Sequence, residues 1–227
     1  MKLLVVSATR IEVEEFVRSL GQPISHSHNH IRFGGSNLDT EIIITGVGMV
    51  ATSYQLGRLF AVNHYDLAIN AGICGSFERS LAIGRVVQVV ADSFGDLGAE
   101  DNDKWIPVSE LVAAQKTGDQ EIIADAGQYN DLVTSLLPVK GVTVNTVHGN
   151  TASIERFRMH TDAGTETMEG AAFMYACKIA GLKFMQIRSI SNYVEPRDTS
   201  KWNISLAISN LNNELQKIHT TLKTHAV

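Results

Sequence analysis

Cysteine is scarce in this chain. Only Cys74 and Cys177 occur in 227 residues, far apart and each among apolar neighbours. A disulfide framework is not indicated, and a reducing, cytoplasmic setting is the expectation. Long apolar runs are missing as well. The opening "MKLLVVSATR" holds one lysine and a short apolar run, and Arg10 and Glu12 interrupt it early. That is too short for a signal peptide or a membrane span, so no membrane partner is expected. No Lys/Arg cluster marks a nucleic-acid footprint, and the formal net charge is -5, so DNA and RNA are not expected as partners either. The first strand runs into Ser7-Ala8-Thr9-Arg10 rather than GxGxxG, and no Walker A sequence is present, which disfavours a dinucleotide or P-loop fold. With 44% hydrophobic and 19% charged residues the chain has the composition of an ordinary soluble globular protein. Its length suits one large domain spanning residues 1–227.

Apolar patterning predicts strands alternating with helices. Leu3 to Val6 is a continuous apolar run, the pattern of a strand buried on both faces. A helix is expected over Ile11–Leu20 with Gly21 as its stop. Further strands are expected at Glu41–Thr45, Leu67–Asn70, Val86–Ala91, Val142–Val147 and Lys183–Ser191. Helices are expected from Met49 to Phe60, from Thr151 to Arg158, and from Met168 to Ala180, the last apolar nearly all round and therefore buried. Ile204, Ile208, Leu211, Leu215, Ile218 and Leu222 draw one stripe along a final helix. The stretch from Gly95 to Asp131 is the most polar and least regular. The alternation implies an α/β fold with parallel strands in its sheet.

In such sheets ligands bind beyond the carboxyl ends of strands. Four strand ends here carry polar or glycine-rich turns: Gly46-Val47-Gly48, Gly72-Ile73-Cys74-Gly75, Gly149-Asn150-Thr151 and Ser191-Asn192. Together they predict a pocket with close backbone approach, with Cys74 and Gly75 on its wall. Cys74 reads as a small packing residue and not a nucleophile, since nothing nearby in sequence would lower its pKa. Glu169 stands almost alone as a charge in "TETMEGAAFMYAC". It is either a helix-start carboxylate favoured by the macrodipole or a buried functional acid. Glu12, followed by Glu14 and Glu15, is by itself most simply an exposed first-turn glutamate. His26, His28 and His30 alternate in "HSHNH", but no carboxylate or cysteine accompanies them, so an exposed hairpin is preferred to a metal site. No metal and no cofactor is expected.

The combination of "TMEGAAFMYAC" with "IRSISNYVEPRD" resembles the nucleoside phosphorylase and nucleosidase superfamily, and within it the futalosine hydrolases. The first stretch is similar to the family's Met-Glu-x-x-Ala helix start, and the second to its Arg-x-Ile-Ser-Asp strand end with Asn for Asp. The resemblance runs over nearly the whole chain. It implies a three-layer α/β sandwich around a twisted mixed sheet, working as a homodimer or higher homo-oligomer on a small nucleoside. It implies a ribose-binding role for Glu169, sugar packing for Met168, a water-orienting or deprotonating role for Glu12, and a role for Arg188 in orienting Glu12. The reaction implied is hydrolysis of the N-glycosidic bond of futalosine to hypoxanthine and dehypoxanthine futalosine, a step of menaquinone biosynthesis. The alternatives are a nucleosidase for methylthioadenosine/adenosylhomocysteine or aminodeoxyfutalosine, and, more remotely, a non-catalytic nucleoside-binding protein.

Departures from the family pattern refine this. Asn70 and Ile73 stand where phosphorylases hold phosphate with arginine and serine, which favours water as the nucleophile. Ile73 also replaces a serine typical of the methylthioadenosine enzymes. No aromatic ring follows the Gly149-Asn150-Thr151 turn, leaving Phe94 or Tyr193 as candidates to stack on the base. Asn192 offers both an NH₂ donor and a C=O acceptor, which suits a 6-oxopurine, whereas aspartate suits adenine. A simpler reading of Asn192 is a strand-end cap bonded to its own backbone. An amide is no acid, so the proton for the leaving base comes from water or another group, Asp198 being one candidate. Arg197 is the candidate to hold the benzoate on the sugar extension, against a simple surface ion pair with Glu195 or Asp198.

Overall fold

The computed structural model describes residues 1–102, 104–111 and 121–225. Part of the polar Gly95–Asp131 stretch, residues 103 and 112–120, therefore lies outside the described residues. The chain opens with β1 (Lys2–Ser7), a 3-10 turn (Arg10–Val13) and α1 (Glu14–Ser19). β2 (Ser25–His26), β3 (His30–Phe33) and β4 (Asp39–Ile44) follow, then α2 (Met49–Phe60), β5 (Leu67–Ser76) and β6 (Val86–Phe94). β7 (Gly98–Asp101), β8 (Lys104–Pro107), α3 (Val108–Leu111) and β9 (Ile122–Ile123) come next. The chain continues through β10 (Leu137–Thr143), α4 (Thr151–Arg158), β11 (Thr165–Thr167), α5 (Gly170–Ile179), β12 (Phe184–Tyr193) and α6 (Ile204–His225).

The main sheet runs in the order β11-β10-β6-β12-β5-β1-β4-β3-β2, with β9 added on β6. It is mixed: β1 lies parallel to β4 and β5, whereas β12 lies parallel to β5 and antiparallel to β6. β11 pairs with both β10 and β5, so β5, β12, β6, β10 and β11 close a ring. Residues of β1 alternate between two cores. Leu3 and Val5 join Leu211, Leu215 and Ile218 of α6, and Leu4 and Val6 join Leu56 of α2 and Phe173 of α5. Helices thus cover both faces, which is the three-layer α/β sandwich, and the two-sided burial explains the unbroken apolar run of β1.

Several elements differ from the patterning. The expected helix over Ile11–Leu20 is split, because Glu12 turns inward and closes a 3-10 turn before α1 begins. Gly72-Ile73-Cys74-Gly75 is not a turn but the end of a longer β5, and its glycines mark close approach by neighbouring side chains. The expected Val142–Val147 strand is instead Leu137–Thr143. Pro138, which cannot donate to a ladder, obscured its start, and a register shift between Val139 and Lys140 breaks its alternation. Tyr175 and Ile179 of α5 stand in solvent, so that helix is not buried all round. Ile204, at 41% exposure, lies outside the buried stripe of α6, which runs through Leu211, Leu215, Ile218 and Leu222. Part of the polar stretch forms the separate β7–β8 ribbon. His26, His28 and His30 belong to the β2–β3 hairpin, and His30 Nε2 lies 2.9 Å from Glu41. Among the described residues no group of three or more His, Cys, Asp or Glu is placed to hold a metal ion, and no helix is long and apolar enough to cross a membrane.

Candidate functional site

Glu12 is buried, contrary to the exposed first-turn reading. Its Oε2 accepts from Thr9 N (3.0 Å), Thr9 Oγ1 (2.8 Å) and Ser7 Oγ (3.3 Å), and its Oε1 accepts from Ile73 N (3.0 Å). These donors come from the ends of β1 and β5 and fix the carboxylate at the mouth of the sheet. The turn that carries it is tied to α6 by Asn212, whose Nδ2 donates to Glu12 O (2.8 Å) and whose Oδ1 accepts from Phe16 N (2.7 Å).

Glu169 occupies the N-cap position of α5, with the partly buried Met168 beside it. Its Oε1 accepts from Gly48 N (2.9 Å). Gly46 and Gly48 have φ of +86° and +98°, a conformation that glycine adopts without strain, so this turn depends on both. Burial pushes the Glu169 carboxyl above its usual range, while Arg188 pulls it back. Arg188 itself is 1% exposed. Its Nη1 lies 3.8 Å from Glu169 Oε2, and its Nη2 donates to Asn70 Oδ1. A Cβ on Gly72 would meet Arg188 Nη1 at 2.3 Å and Glu12 Oε1 at 2.9 Å. One glycine therefore gives room for the guanidinium and the Glu12 carboxylate side by side. Asn70 Nδ2 is also engaged, with Val6 O at 3.1 Å.

Cys74 is a core residue. Its side chain packs with Leu81, Val87 and Ile190, and burial pushes its thiol up to about 12. It therefore offers no side chain to a ligand, which corrects the expectation that it lines the pocket. Gly75 lies beside Asn192 across the β5–β12 pair, and a Cβ on it would meet Asn192 Nδ2 at 3.3 Å. The register between these strands shifts at Ser191, which is the extra residue of a bulge. The Asn192 amide is held locally: Oδ1 accepts from Ser191 Oγ (2.8 Å) and Nδ2 donates to Tyr193 O (3.0 Å). Both the strand-end cap and a free second N–H are thus present.

A cavity of about 930 Å³ lies beside the ends of β6 and β10, lined among others by Lys104, Trp105, His148, Gly149, Arg156 and Arg197, and Glu12, Met168, Glu169, Arg188 and Asn192 do not line it. Arg197 pairs with neither Glu195 nor Asp198. Its guanidinium lies 4.8 Å from the Trp202 ring, and its backbone N–H donates to Gly149 O at 3.0 Å. Asp198 is no proton source. It caps a 3-10 turn, and the Ser200 hydroxyl and N–H hold its carboxyl below the usual range. Tyr193 lies under the Arg79 guanidinium at 4.3 Å, and Phe94 meets Tyr175 edge-on at 6.3 Å. Two buried acids escaped the sequence reading. Asp92 and Glu166 each sit singly within apolar or threonine-rich strands, and the patterning gives no sign that their partners, Gln186 with Thr143 and His148, come from distant segments.

Residues 2–224 match the family model described as the phosphorylase superfamily. The chain is similar to the futalosine hydrolase of Streptomyces coelicolor, at 29% identity over 99% of this chain and 97% of that one. It is also similar to the 5'-methylthioadenosine/S-adenosylhomocysteine nucleosidase of Colwellia psychrerythraea, at 30% identity over 85% of this chain and 84% of that one. The structure of futalosine hydrolase from Helicobacter pylori strain 26695 superposes with a TM-score of 0.82, covering 97% of this chain and 98% of that chain at 15% identity. These identities do not separate the two activities, so the choice between them falls to the site residues.

Asp92 connects the core to the site. Its Oδ1 accepts from Thr143 Oγ1 (2.9 Å), which in turn accepts from Ala171 N (2.7 Å) in the first turn of α5, next to Glu169. Its Oδ2 accepts from Gln186 Nε2 at 3.0 Å. Burial raises the Asp92 carboxyl from 3.8 to about 6, with Gln186, Thr143 and Arg188 opposing. A raised carboxylate pKa means that the folded state holds the proton more tightly than the unfolded one. Stability should therefore fall as pH rises from about 4 to about 6. Asp92→Asn removes the charge, and a turned Gln186 amide can accept from the new NH₂, since Gln186 Oε1 has no partner among the described residues. The melting temperature of the wild type should decline between those pH values, and that of Asp92→Asn should lack this decline. Parallel melting curves for the two proteins would contradict this.

Proposed function

For this chain, which belongs to the phosphorylase superfamily, we propose hydrolysis of the N-glycosidic bond of futalosine, releasing hypoxanthine and dehypoxanthine futalosine for menaquinone biosynthesis. The observation that carries the choice of substrate is the Asn192 amide. Its Oδ1 is taken by Ser191 and its Nδ2 is turned over Gly75, so it offers a donor to the base. A 6-oxopurine presents an acceptor there, and adenine presents a donor. Two donors, or two acceptors, facing each other at a buried position cost about 1–3 kcal/mol.

In the reaction, Glu12 holds the attacking water and takes its proton. Glu169 accepts hydrogen bonds from the 2′- and 3′-hydroxyls of the ribose, with Met168 packed on the sugar. As the glycosidic bond lengthens, positive charge develops on the ring, and two carboxylates against the single Arg188 guanidinium favour it. Arg188 acts through them, and Gly75 lets the base approach the backbone. Water as nucleophile is supported by the engagement of Arg188 and Asn70 with each other, which leaves neither directed to a phosphate dianion. Arg197 is assigned to the benzoate carboxylate. The whole chain acts as one domain, in the cytoplasm, as a homodimer or higher homo-oligomer. Exposed Val47, Val50 and Tyr54 at α2 and Tyr175 and Ile179 on the adjoining α5 supply an apolar patch for such an assembly. The methylthioadenosine reading has several relatives in its favour and Asn192 and Ile73 against it.

Product analysis with futalosine, inosine and methylthioadenosine tests the proposal. Futalosine should release hypoxanthine at the same rate with and without phosphate, and Glu12→Gln should lower kcat by about 100-fold or more while substrate still binds. Phosphate dependence, or preference for methylthioadenosine, would overturn it. In the same assay Asn192→Asp should lower kcat/KM for futalosine relative to an amino-purine nucleoside by about tenfold or more. An unchanged ratio would remove the amide from base selection. Arg197→Ala should raise KM for futalosine and leave inosine unaffected, and equal effects on both would exclude its contact with the benzoate.

A further inference from the structure

The proposed reaction leaves one requirement unmet. Asn192 carries no acidic proton, and Asp198 is a solvent-facing cap, yet a purine leaves far more readily once protonated at N7. His148 is placed to supply that proton.

Its ring is held at Nδ1 and on one face, and its backbone is held as well. Nδ1 lies 2.5 Å from Glu166 Oε1, and the His148 backbone N–H donates to Glu166 Oε2 at 2.8 Å. Both oxygens of a carboxylate that is 3% exposed are thus spent on this one residue. Phe157 covers a ring face, with centroids 4.2 Å apart. Nε2 has no partner among the described residues, and the side chain lines the 930 Å³ cavity. A carboxylate behind Nδ1 with a free Nε2 in front is the arrangement that sets an imidazole up to give a proton at one atom.

The strand registers bring this pair to the base. Glu166 pairs with Gly75 across β11 and β5, and Gly75 pairs with Asn192 across β5 and β12. The three residues therefore lie in one row across adjacent strands. At a strand spacing of about 4.8 Å the outer two backbones are about 10 Å apart, and the middle position carries no side chain. Laterally paired residues project to the same side of a sheet, so Glu166 and Asn192 flank Gly75, where a Cβ would meet Val194 Cγ2 at 2.9 Å and Asn192 Nδ2 at 3.3 Å. Asn192 Nδ2 stands on one side of this position, and the Glu166–His148 pair stands on the other.

We propose that His148, oriented by Glu166, is the general acid that protonates the departing purine at N7. This rests on the functional reading above. The pair holds two protons at the start, one between Glu166 Oε1 and His148 Nδ1 and one on Nε2. As the C1′–N9 bond breaks, its electron pair stays with the purine and the Nε2 proton passes to N7, so hypoxanthine leaves neutral. The water oxygen bonds to C1′ and its proton goes to Glu12. Solvent then restores the proton on the pair and removes the one from Glu12.

The test uses futalosine and N7-methylated futalosine, which keeps the sugar and its benzoate but leaves without needing a proton. His148→Phe keeps a ring against Phe157, and His148→Gln keeps a donor toward Glu166, so a folded sample of either variant decides the matter. Relative to the wild type on each substrate, futalosine hydrolysis should fall by about 100-fold or more, while the methylated substrate should change by less than about threefold. Equal loss on both substrates would make His148 a purely structural residue and overturn the proposal, as would an unchanged futalosine rate. Failure of the wild type itself to release hypoxanthine from futalosine would instead refute the functional reading on which this step rests.

Discussion

A guanidinium taken almost wholly out of water has to be compensated, and much of the site follows from how Arg188 is compensated. Removing such an ion from solvent costs several kcal/mol unless partners surround it. Arg188 sits within β12, between β5 and β6, where water is excluded. Asn70 accepts from it on the neighbouring strand, Glu169 stands 3.8 Å away, and Gly72 gives up its side chain to make room. Each compensating group has another attachment. Asn70 holds β1 through Val6 O, and Glu169 holds the Gly46–Gly48 turn. The buried charge therefore couples β1, β5, β12, α2 and α5 at one point, the point to which the proposed reaction assigns the sugar.

The end of the sheet that carries Asn192 is shaped by two departures from regular pairing. β11 pairs with β5 as well as β10 and closes a ring. Ser191 is an extra residue in β12, so Ile190 and Asn192 pair with consecutive residues Cys74 and Gly75. A bulge of this kind re-aims the residue that follows it. Ile190 stays in the core with Cys74, and Asn192 is turned out over Gly75. Ser191 Oγ donates at 2.8 Å to Asn192 Oδ1 and lies 3.1 Å from Cys74 O, so its one hydrogen is shared across the gap in the ladder. Without the bulge, strict alternation would send Asn192 to the side of Ile190, into the packed interior.

Local signals in the sequence revealed the architecture well and the site unevenly. Periodicity found β1, α2 and most of α6, because their faces meet cores of one kind along their whole length. It missed the start of β10, where Pro138 breaks the expected ladder, and it read the glycines of β5 as a turn. Those glycines are required by side chains far away in sequence, Glu12 and Arg188 at Gly72 and Asn192 and Val194 at Gly75. Glu12 looked exposed because its own neighbours are charged, and its burial is decided by donors on β1 and β5. Glu166, Asp92 and His148 carried no visible pattern at all. Their partners lie 18 to 94 residues away in sequence and meet them only when the neighbouring strands pair.

The last consequence concerns how recognition and proton supply are divided. An aspartate at the end of β12 would serve as both, and its hydrogen-bonding pattern would then change with its protonation state. An amide does not titrate in this range, so Asn192 presents the same donor whatever the pH. The proton must then reside on a group that is close to the base but separate from the atom that reads it. Glycine at position 75 serves that separation, because the central position of the three-strand row carries no side chain of its own. In the proposed reaction the base is read from the Asn192 side of this row and protonated from the His148 side. The backbone is held by the same core in either case, so exchanging an acid for an amide alters the polarity of one contact without disturbing the packing that positions it.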